Sequence, residues 1–323
     1  MTDWLTRNTM HHSDFSDIED LVRRKQEQGL KISVAFPTFN EEATIGPAVG
    51  IIKDELQDRH QLIDEIAIID GGSFDGTLQE ARAAGGEVFL SKECLPHLDH
   101  FPGKGDNLWK SLYVLSGDIL VWLDADIKNM HPKFVYGLVG PLLHHPEIQF
   151  TKAYYQRPLH LPEENDDYGG GRVTEILVRP LFSAFMPELA QFYQPCSGEC
   201  AGRREILESL PFSAGYGIET GMLLDIHHKY GYDVIAQVNL DKRIHRNQPT
   251  TALGKMGFEI LHTFMSRLNK MDKARFEDSL YEVYKQLVCS PSVYGLEEMS
   301  VQIKERPPMT TIPEYRQMRG MQS

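Results

Sequence analysis

Short apolar runs alternate with amphipathic stretches through the first half of the chain. Lys31-Ile32-Ser33-Val34-Ala35-Phe36 predicts a strand that ends at Pro37, and Glu41 to Leu56 predicts a helix. Asp64 to Asp70 is nearly all apolar and predicts a second strand. A glycine-rich loop follows, then a helix over Thr77 to Gly85 and a short strand at Val88-Phe89-Leu90. Asn107 to Ser116 has helical spacing, and Ile119 to Leu123 is a strand running into Asp124-Ala125-Asp126. Apolar runs of this length, alternating with helical periods, mean strands buried on both faces and a doubly wound, mostly parallel sheet. Before them, Phe15, Ile18, Leu21 and Val22 lie among charges and predict an amphipathic helix over residues 14–28. After about residue 145 the pattern mixes. It predicts a strand from Gln149 to Tyr155 and helices over Val173 to Phe185, Gly221 to Tyr230, Met256 to Leu268 and Phe276 to Leu287. The last dozen residues are polar and read as loose. Three divisions result: an N-terminal helical segment (1–30), the α/β unit (31–250, with halves at 31–126 and 127–250), and a helical C-terminal extension with its tail (251–323).

Composition narrows the function classes. The net charge of -13 disfavours non-specific nucleic-acid binding and requires any anion site to gather its Lys and Arg locally. No apolar run approaches the roughly 20 residues of a membrane span, and the polar, acidic first residues show no secretory signal. The four cysteines (Cys94, Cys196, Cys200, Cys289) form no zinc or disulfide pattern, so they read as small buried residues of a cytoplasmic protein.

Candidate chemistry collects where strands end, and ligands of α/β sheets bind outside the carboxyl ends of the strands. Asp124 and Asp126 stand two apart after a buried run, and two carboxylates so close are costly unless a cation joins them. A hard divalent ion that bridges to phosphate suits them. The alternative is a helix cap and a surface charge. In Phe36-Pro37-Thr38-Phe39-Asn40-Glu41-Glu42, backbone near Pro37 and the Glu41 carboxylate could read a base or ribose, or Asn40 could simply cap a helix. Asp70-Gly71-Gly72-Ser73-Phe74-Asp75-Gly76-Thr77 is a capped turn whose glycines permit close backbone approach. Pro102-Gly103-Lys104-Gly105 sets one cation between glycines, without Walker A spacing. Further on, Tyr154-Tyr155-Gln156-Arg157 and Gly169-Gly170-Gly171-Arg172-Val173-Thr174-Glu175 offer a helix start and two guanidiniums to an anion, or two surface ion pairs.

The order Pro-x-x-Asn-Glu-Glu, Asp-Gly-Gly-Ser-x-Asp-Gly-Thr, Gly-Lys-Gly and Gly-Asp-x-x-x-x-x-Asp-Ala-Asp resembles the GT-A nucleotide-sugar glycosyltransferases over residues 31–126. The run continues through Gln194-Pro195-Cys196-Ser197-Gly198-Glu199-Cys200-Ala201-Gly202, Gly215-Tyr216-Gly217-Ile218-Glu219 and Arg243-Ile244-His245-Arg246-Asn247. Over residues 31–250 it is similar to the glucosyl-3-phosphoglycerate and mannosyl-3-phosphoglycerate synthases. The resemblance implies a Rossmann-like GT-A fold and a Mg²⁺ or Mn²⁺ ion on Asp126 and His245. It implies a nucleotide lined by Pro37, Glu41, Gly71, Lys104, Asp124 and Ala125, with Glu219 and Arg243 on the donor sugar. Gly171, Arg172, Thr174 and Asn247 would bind 3-phosphoglycerate, with Arg157 and Tyr216 nearby. Glu219, Arg243 and Asp124 are thus the expected catalytic groups. Two departures stand out. Gly71 replaces a serine common in mycobacterial-like members, and Cys196-Ser197 replaces Leu-Gly, which leaves the donor sugar open. The expected reaction moves a hexose, glucose ahead of mannose, from a nucleoside-diphosphate sugar to the 2-hydroxyl of 3-phosphoglycerate with retention. A homodimer is expected, and neither nucleic acid nor membrane is an expected partner. An inverting GT-A enzyme acting on lipid or polysaccharide, with a carboxylate as base, is the alternative.

Overall fold

The computed structural model of the chain describes residues 2–160, 165–166, 171–244, 249–290, 293–301 and 303–321. The N-terminal segment forms helix α1 (Thr2–Asn8), strand β1 (Thr9–His11) and helix α2 (Ile18–Glu27). The alternation then runs β2 (Ile32–Thr38), α3 (Ile45–Ile52), β3 (Glu65–Asp70), α4 (Thr77–Ala83), β4 (Glu87–Leu90), α5 (Lys104–Val114), β5 (Ile119–Trp122), α6 (Lys133–His144) and β6 (Phe150–Gln156). A small pair, β7 (Leu159–His160) and β8 (Asn165–Asp166), precedes α7 (Arg179–Phe185), β9 (Cys200–Arg203), α8 (Arg204–Leu207) and β10 (Phe212–Ser213). Next come α9 (Ile218–Tyr230), β11 (Ile235–Lys242) and α10 (Thr250–Lys270). The chain closes with β12 (Val283–Ser290), β13 (Val293–Ser300), β14 (Glu305–Arg306) and α11 (Pro313–Met318).

Eight strands make one sheet in the order β1-β11-β6-β9-β5-β2-β3-β4. Neighbours are parallel except β9, which runs antiparallel to both β5 and β6. The other seven strands therefore point their carboxyl ends to one edge. Side chains alternate across the sheet. Val34, Phe36, Ile66, Ile68 and Val121 face a core closed by α2, α3 and α6, and Ala35, Ala67, Ile69, Leu120 and Trp122 face one closed by α5, α9 and α10. Two cores, one on each face, explain why these strands read as continuous apolar runs. No described helix is long and apolar enough to cross a membrane.

Several expectations need correction. The N-terminal segment is not only helical, because β1 pairs with β11 and forms the sheet's edge. Pro37 lies inside β2 rather than ending it; its missing N–H is tolerated near the strand's end. The helix after β2 begins at Ile45 and runs on through wider turns to Arg59. Asn40 does not cap it: at φ +57° its side chain accepts from the Phe74 N–H instead. Residues 283–290 are a strand, not a helix, paired over eight registered positions with β13. Apolar spacing at 276, 280, 283, 284 and 287 suits a helix, but Val283, Tyr284 and Val288 also favour a strand. The tail is docked as α11, with Tyr315 fully buried and its hydroxyl hydrogen-bonded to Glu208 and Arg204. Cys94 and Cys200 are buried and free, and Cys196 is free and half-buried.

Candidate active site

The carboxyl edge of the sheet is where the charges meet. Asp124 and Asp126 follow β5, Arg243 follows β11, and Glu219 sits in the first turn of α9. Lys104 opens α5 after Gly103, whose φ of +145° is open only to glycine. The Lys104 ammonium donates to the Asp124 carboxylate and, at 2.7 Å, to Glu219 Oε1. Nη2 of Arg243 reaches Asp124 Oδ2 at 2.9 Å and Asp126 Oδ1 at 2.7 Å. Arg243 is itself buried. Its Nε lies 3.1 Å from Glu199 Oε1 without hydrogen-bond alignment, and its plane lies over the Tyr155 ring. The Tyr155 hydroxyl donates to the other Glu199 oxygen.

The electrostatics are those of opposed charges packed together out of water. Burial disfavours the Lys104 charge, but Asp124 and Glu219 outweigh it and hold the ammonium well above its ordinary range. Burial would raise Asp124, yet Lys104 and Arg243 hold it far below the usual carboxylate value. Asp126 goes the other way: burial raises it and the adjoining Asp124 adds to this, against the pull of Arg243. Burial also raises Glu199. Four carboxylates (Asp124, Asp126, Glu199, Glu219) face Lys104, Arg243 and the charge of Arg157. The buried Lys152 ammonium, on Ser197 O at 2.5 Å, adds a fourth cation, and the Asp124 and Asp126 carboxylates offer oxygen donors on neighbouring side chains at the mouth. That donor set fits a hard divalent cation.

The nucleotide candidates lie beside this cluster. Gly71 N donates to Thr38 O at 2.9 Å, locking the ends of β2 and β3 together below Pro37. Glu41 is half-buried, with its N–H on Thr77 Oγ1 at 2.7 Å. Ala125 is buried between the two aspartates. Asp70 holds the glycine turn by accepting from Gly72 N, Ser73 N and Ser73 Oγ. The acceptor candidates extend the site toward α7. Thr174 is buried, and the Cys196 Sγ lies 3.9 Å from Thr220 Oγ1, next to Glu219. Gly171 (φ +91°) and Arg172 precede it, and Arg172 Nη1 donates to Thr250 Oγ1 at the start of α10. Tyr216 is half exposed, with its N–H on Glu259. His245 and Asn247 lie outside the described residues.

Sequence reasoning assigned no role to Glu199, Tyr155 or Gly198. A Cβ on Gly198 would come within 2.2 Å and 2.3 Å of the Asp124 carboxylate oxygens and 2.4 Å of Lys104 Nζ. This loop closes on the site only because residue 198 lacks a side chain. The Ser-Gly-Glu triplet was the available signal. A second polar cluster, His11, His12 and Asp241, joins β1 to the end of β11. Ser13 N donates to His11 Nδ1, which puts that ring's proton on Nε2, 3.0 Å from Asp241 Oδ1. His12 Nε2 and Lys133 Nζ share Asp241 Oδ2 at 2.6 and 2.7 Å. With its cation already supplied by Lys133, this group is an ion-pair clasp rather than a metal centre.

Comparison with known proteins bears on this geometry. The family described as Glycosyl transferase family 2 matches residues 33–210. A glucosyl-3-phosphoglycerate synthase of Petrotoga mobilis is 50% identical over 317 residues, covering 98% of this chain and 98% of the relative. The crystal structure of mannosyl-3-phosphoglycerate synthase from Rubrobacter xylanophilus superposes with a TM-score of 0.89 at 36% identity, covering 97% of this chain and 99% of that one. Glucosyl-3-phosphoglycerate synthase from Mycobacterium tuberculosis, in complex with Mn²⁺, uridine-diphosphate and phosphoglyceric acid, gives a TM-score of 0.82 at 41% identity, over 94% of this chain and 98% of that one.

Proposed function

Because the chain belongs to glycosyl transferase family 2, and within it to the glucosyl-3-phosphoglycerate and mannosyl-3-phosphoglycerate synthases, we propose that it transfers glucose from UDP-glucose to the 2-hydroxyl of 3-phosphoglycerate. The observation that carries this reading is the convergence of Lys104, Asp124, Asp126, Glu219 and Arg243 at one sheet edge. Glucose stands ahead of mannose because the relative that is 50% identical over nearly the whole chain is a glucosyl enzyme.

Asp126, together with His245 from the sequence resemblance, would hold Mg²⁺ or Mn²⁺. The bound ion supplies Lewis-acid neutralisation of the leaving diphosphate. Asp124, Ala125, Pro37, Glu41 and Gly71 bind the nucleoside at the ends of β2, β3 and β5. Lys104 brings positive charge beside the diphosphate and fixes the Glu219 rotamer through their ion pair. Glu219 and Arg243 orient the sugar hydroxyls, with Glu199 and Tyr155 bracing Arg243 from behind. Gly171, Arg172, Thr174, Arg157, Tyr216 and Asn247 receive the acceptor's phosphate and carboxylate.

In the transfer the acceptor oxygen bonds to the anomeric carbon as the bond from that carbon to the diphosphate oxygen breaks. The hydroxyl proton passes to the departing diphosphate. Attack comes from the leaving group's own face, so configuration is retained. Lys104 engages Glu219 Oε1, which suits a sugar-orienting group better than a free base. NMR of the product tests this step: an α-linked glucoside from the α-configured donor is expected, and a β-linked product would overturn it.

We assign the homodimer contact to the β12–β13 hairpin, where Leu287, Tyr294 and Leu296 are exposed.

A further inference from the structure

Strand β14, which lies beyond the residues matched by the family, reaches back into the donor site through two adjacent charges. It pairs with β10 (Arg306 opposite Phe212, Glu305 opposite Ser213), and Lys304 O accepts from Ala214 N at 2.9 Å. The β10 backbone carries the Lys104 loop. Asp106 N donates to Ala214 O at 3.1 Å, and Gly103 and Gly105 sit so close that a Cβ would lie 2.4 Å from Ala214 O and 1.8 Å from Ser213 O.

Arg306 completes the ring. It is buried, with Nε 2.6 Å from Asp106 Oδ1, and it also donates to Asp99 O. Its guanidinium lies 4.1 Å from the Phe101 ring centroid and 5.0 Å from that of Trp109. One side chain thus grips the loop before Lys104 at Asp99 and Phe101 and the helix after it at Asp106. Glu305 works in the opposite direction. It pairs with Lys270 at 2.6 Å and with Arg267, whose Nε is 2.7 Å from Asp225 on α9. Helix α9 carries Glu219.

We propose that Arg306 is a positioning residue for the donor. It holds the Gly103-Lys104-Gly105 turn in register with α9, so that Lys104 meets Asp124 and Glu219 before the diphosphate arrives. The proposal rests on the reading of Lys104 as a donor-binding residue. A planar guanidinium serves here because it bonds a carboxylate and a carbonyl while stacking on an aromatic ring; lysine cannot do all three.

The test measures UDP affinity in saturating Mn²⁺, and KM for UDP-glucose and for 3-phosphoglycerate, in the full chain. The variants are Arg306→Met, Arg306→Lys, Phe101→Leu and Tyr315→Phe. A small displacement of a binding group costs about ten- to a hundredfold. Arg306→Met is therefore expected to weaken UDP and raise the donor KM by that factor, leaving the acceptor KM within about twofold. Arg306→Lys should recover part of the loss, and Phe101→Leu should show a smaller loss of the same kind. Tyr315→Phe, which removes the tail's hydroxyl from Glu208 and from Arg204, itself bonded to the end of α5 far from Lys104, should lower the melting temperature without moving UDP affinity. Wild-type affinity in Arg306→Met or in Phe101→Leu would overturn the proposal, as would equal rises in both KM values. Failure of the wild-type chain to bind UDP would instead refute the underlying reading of the site.

Discussion

Gly198 shows how much one absent methyl group decides. Its neighbours are the Asp124 carboxylate and the Lys104 ammonium, both already fixed by ion pairs, so neither can yield to a Cβ. Gly198→Ala is expected to lower kcat/KM by about a hundredfold or more, in keeping with misplaced catalytic groups. The fold should survive, because the clash is with side-chain ends at the site's mouth rather than with core backbone. Steady-state assay beside a thermal melt checks this; an active Gly198→Ala enzyme would refute the packing argument. Asp124, Asp126 and Lys104 were legible in sequence because each lies in a short local pattern next to a strand end. Glu199 and Tyr155 were not, since β6 and β9 bring them together only by antiparallel pairing, which no local period encodes.

At the scale of elements, β2, β3 and β5 declare themselves because burial on both faces leaves them uniformly apolar. Strand β1 is three half-buried residues and carries no such signal. Helix α6 is broken up in sequence by Gly137, Gly140 and Pro141, yet Gly140 is what lets the Phe15 ring pack against it. The β12–β13 hairpin misled for the opposite reason, its apolar spacing serving either structure. A two-stranded hairpin is marginal alone, and this one exposes Leu287 at 81% and Tyr294 at 83%. Burial of those side chains against a second copy would supply what the hairpin lacks. Analytical ultracentrifugation should show the proposed dimer for the wild-type chain and a monomer for Leu287→Lys with Leu296→Lys. A variant that stays dimeric would move the interface elsewhere.

For the whole molecule, the sheet order could not be read from sequence. Inserting β9 between β5 and β6 depends on tertiary pairing, while the doubly wound character followed from alternation alone. The charge balance has its own consequence. Burial lowers the pKa of His12, His100, His131 and His227 below 6.5. The unfolded chain then binds more protons than the native one just below that value. Their contribution is complete above pH 6.5 and is lost as pH falls toward the native values. Asp225 acts with the opposite sign: burial lifts it from 3.8 to about 6, so its effect grows only as pH falls below about 6. Melting temperature should therefore drop between about pH 7 and pH 6. Replacing His12 with Gln should flatten that slope. A rise in stability across the same interval would contradict the lowered pKa of these imidazoles.

Release of UDP by the purified chain is the most direct test of the central claim. UDP-glucose would be supplied with or without 3-phosphoglycerate, and with Mg²⁺ or with chelator. The account predicts release only when acceptor and metal are both present, and its loss in Asp126→Ala. Equal release without 3-phosphoglycerate, or none with it, would contradict the assigned reaction.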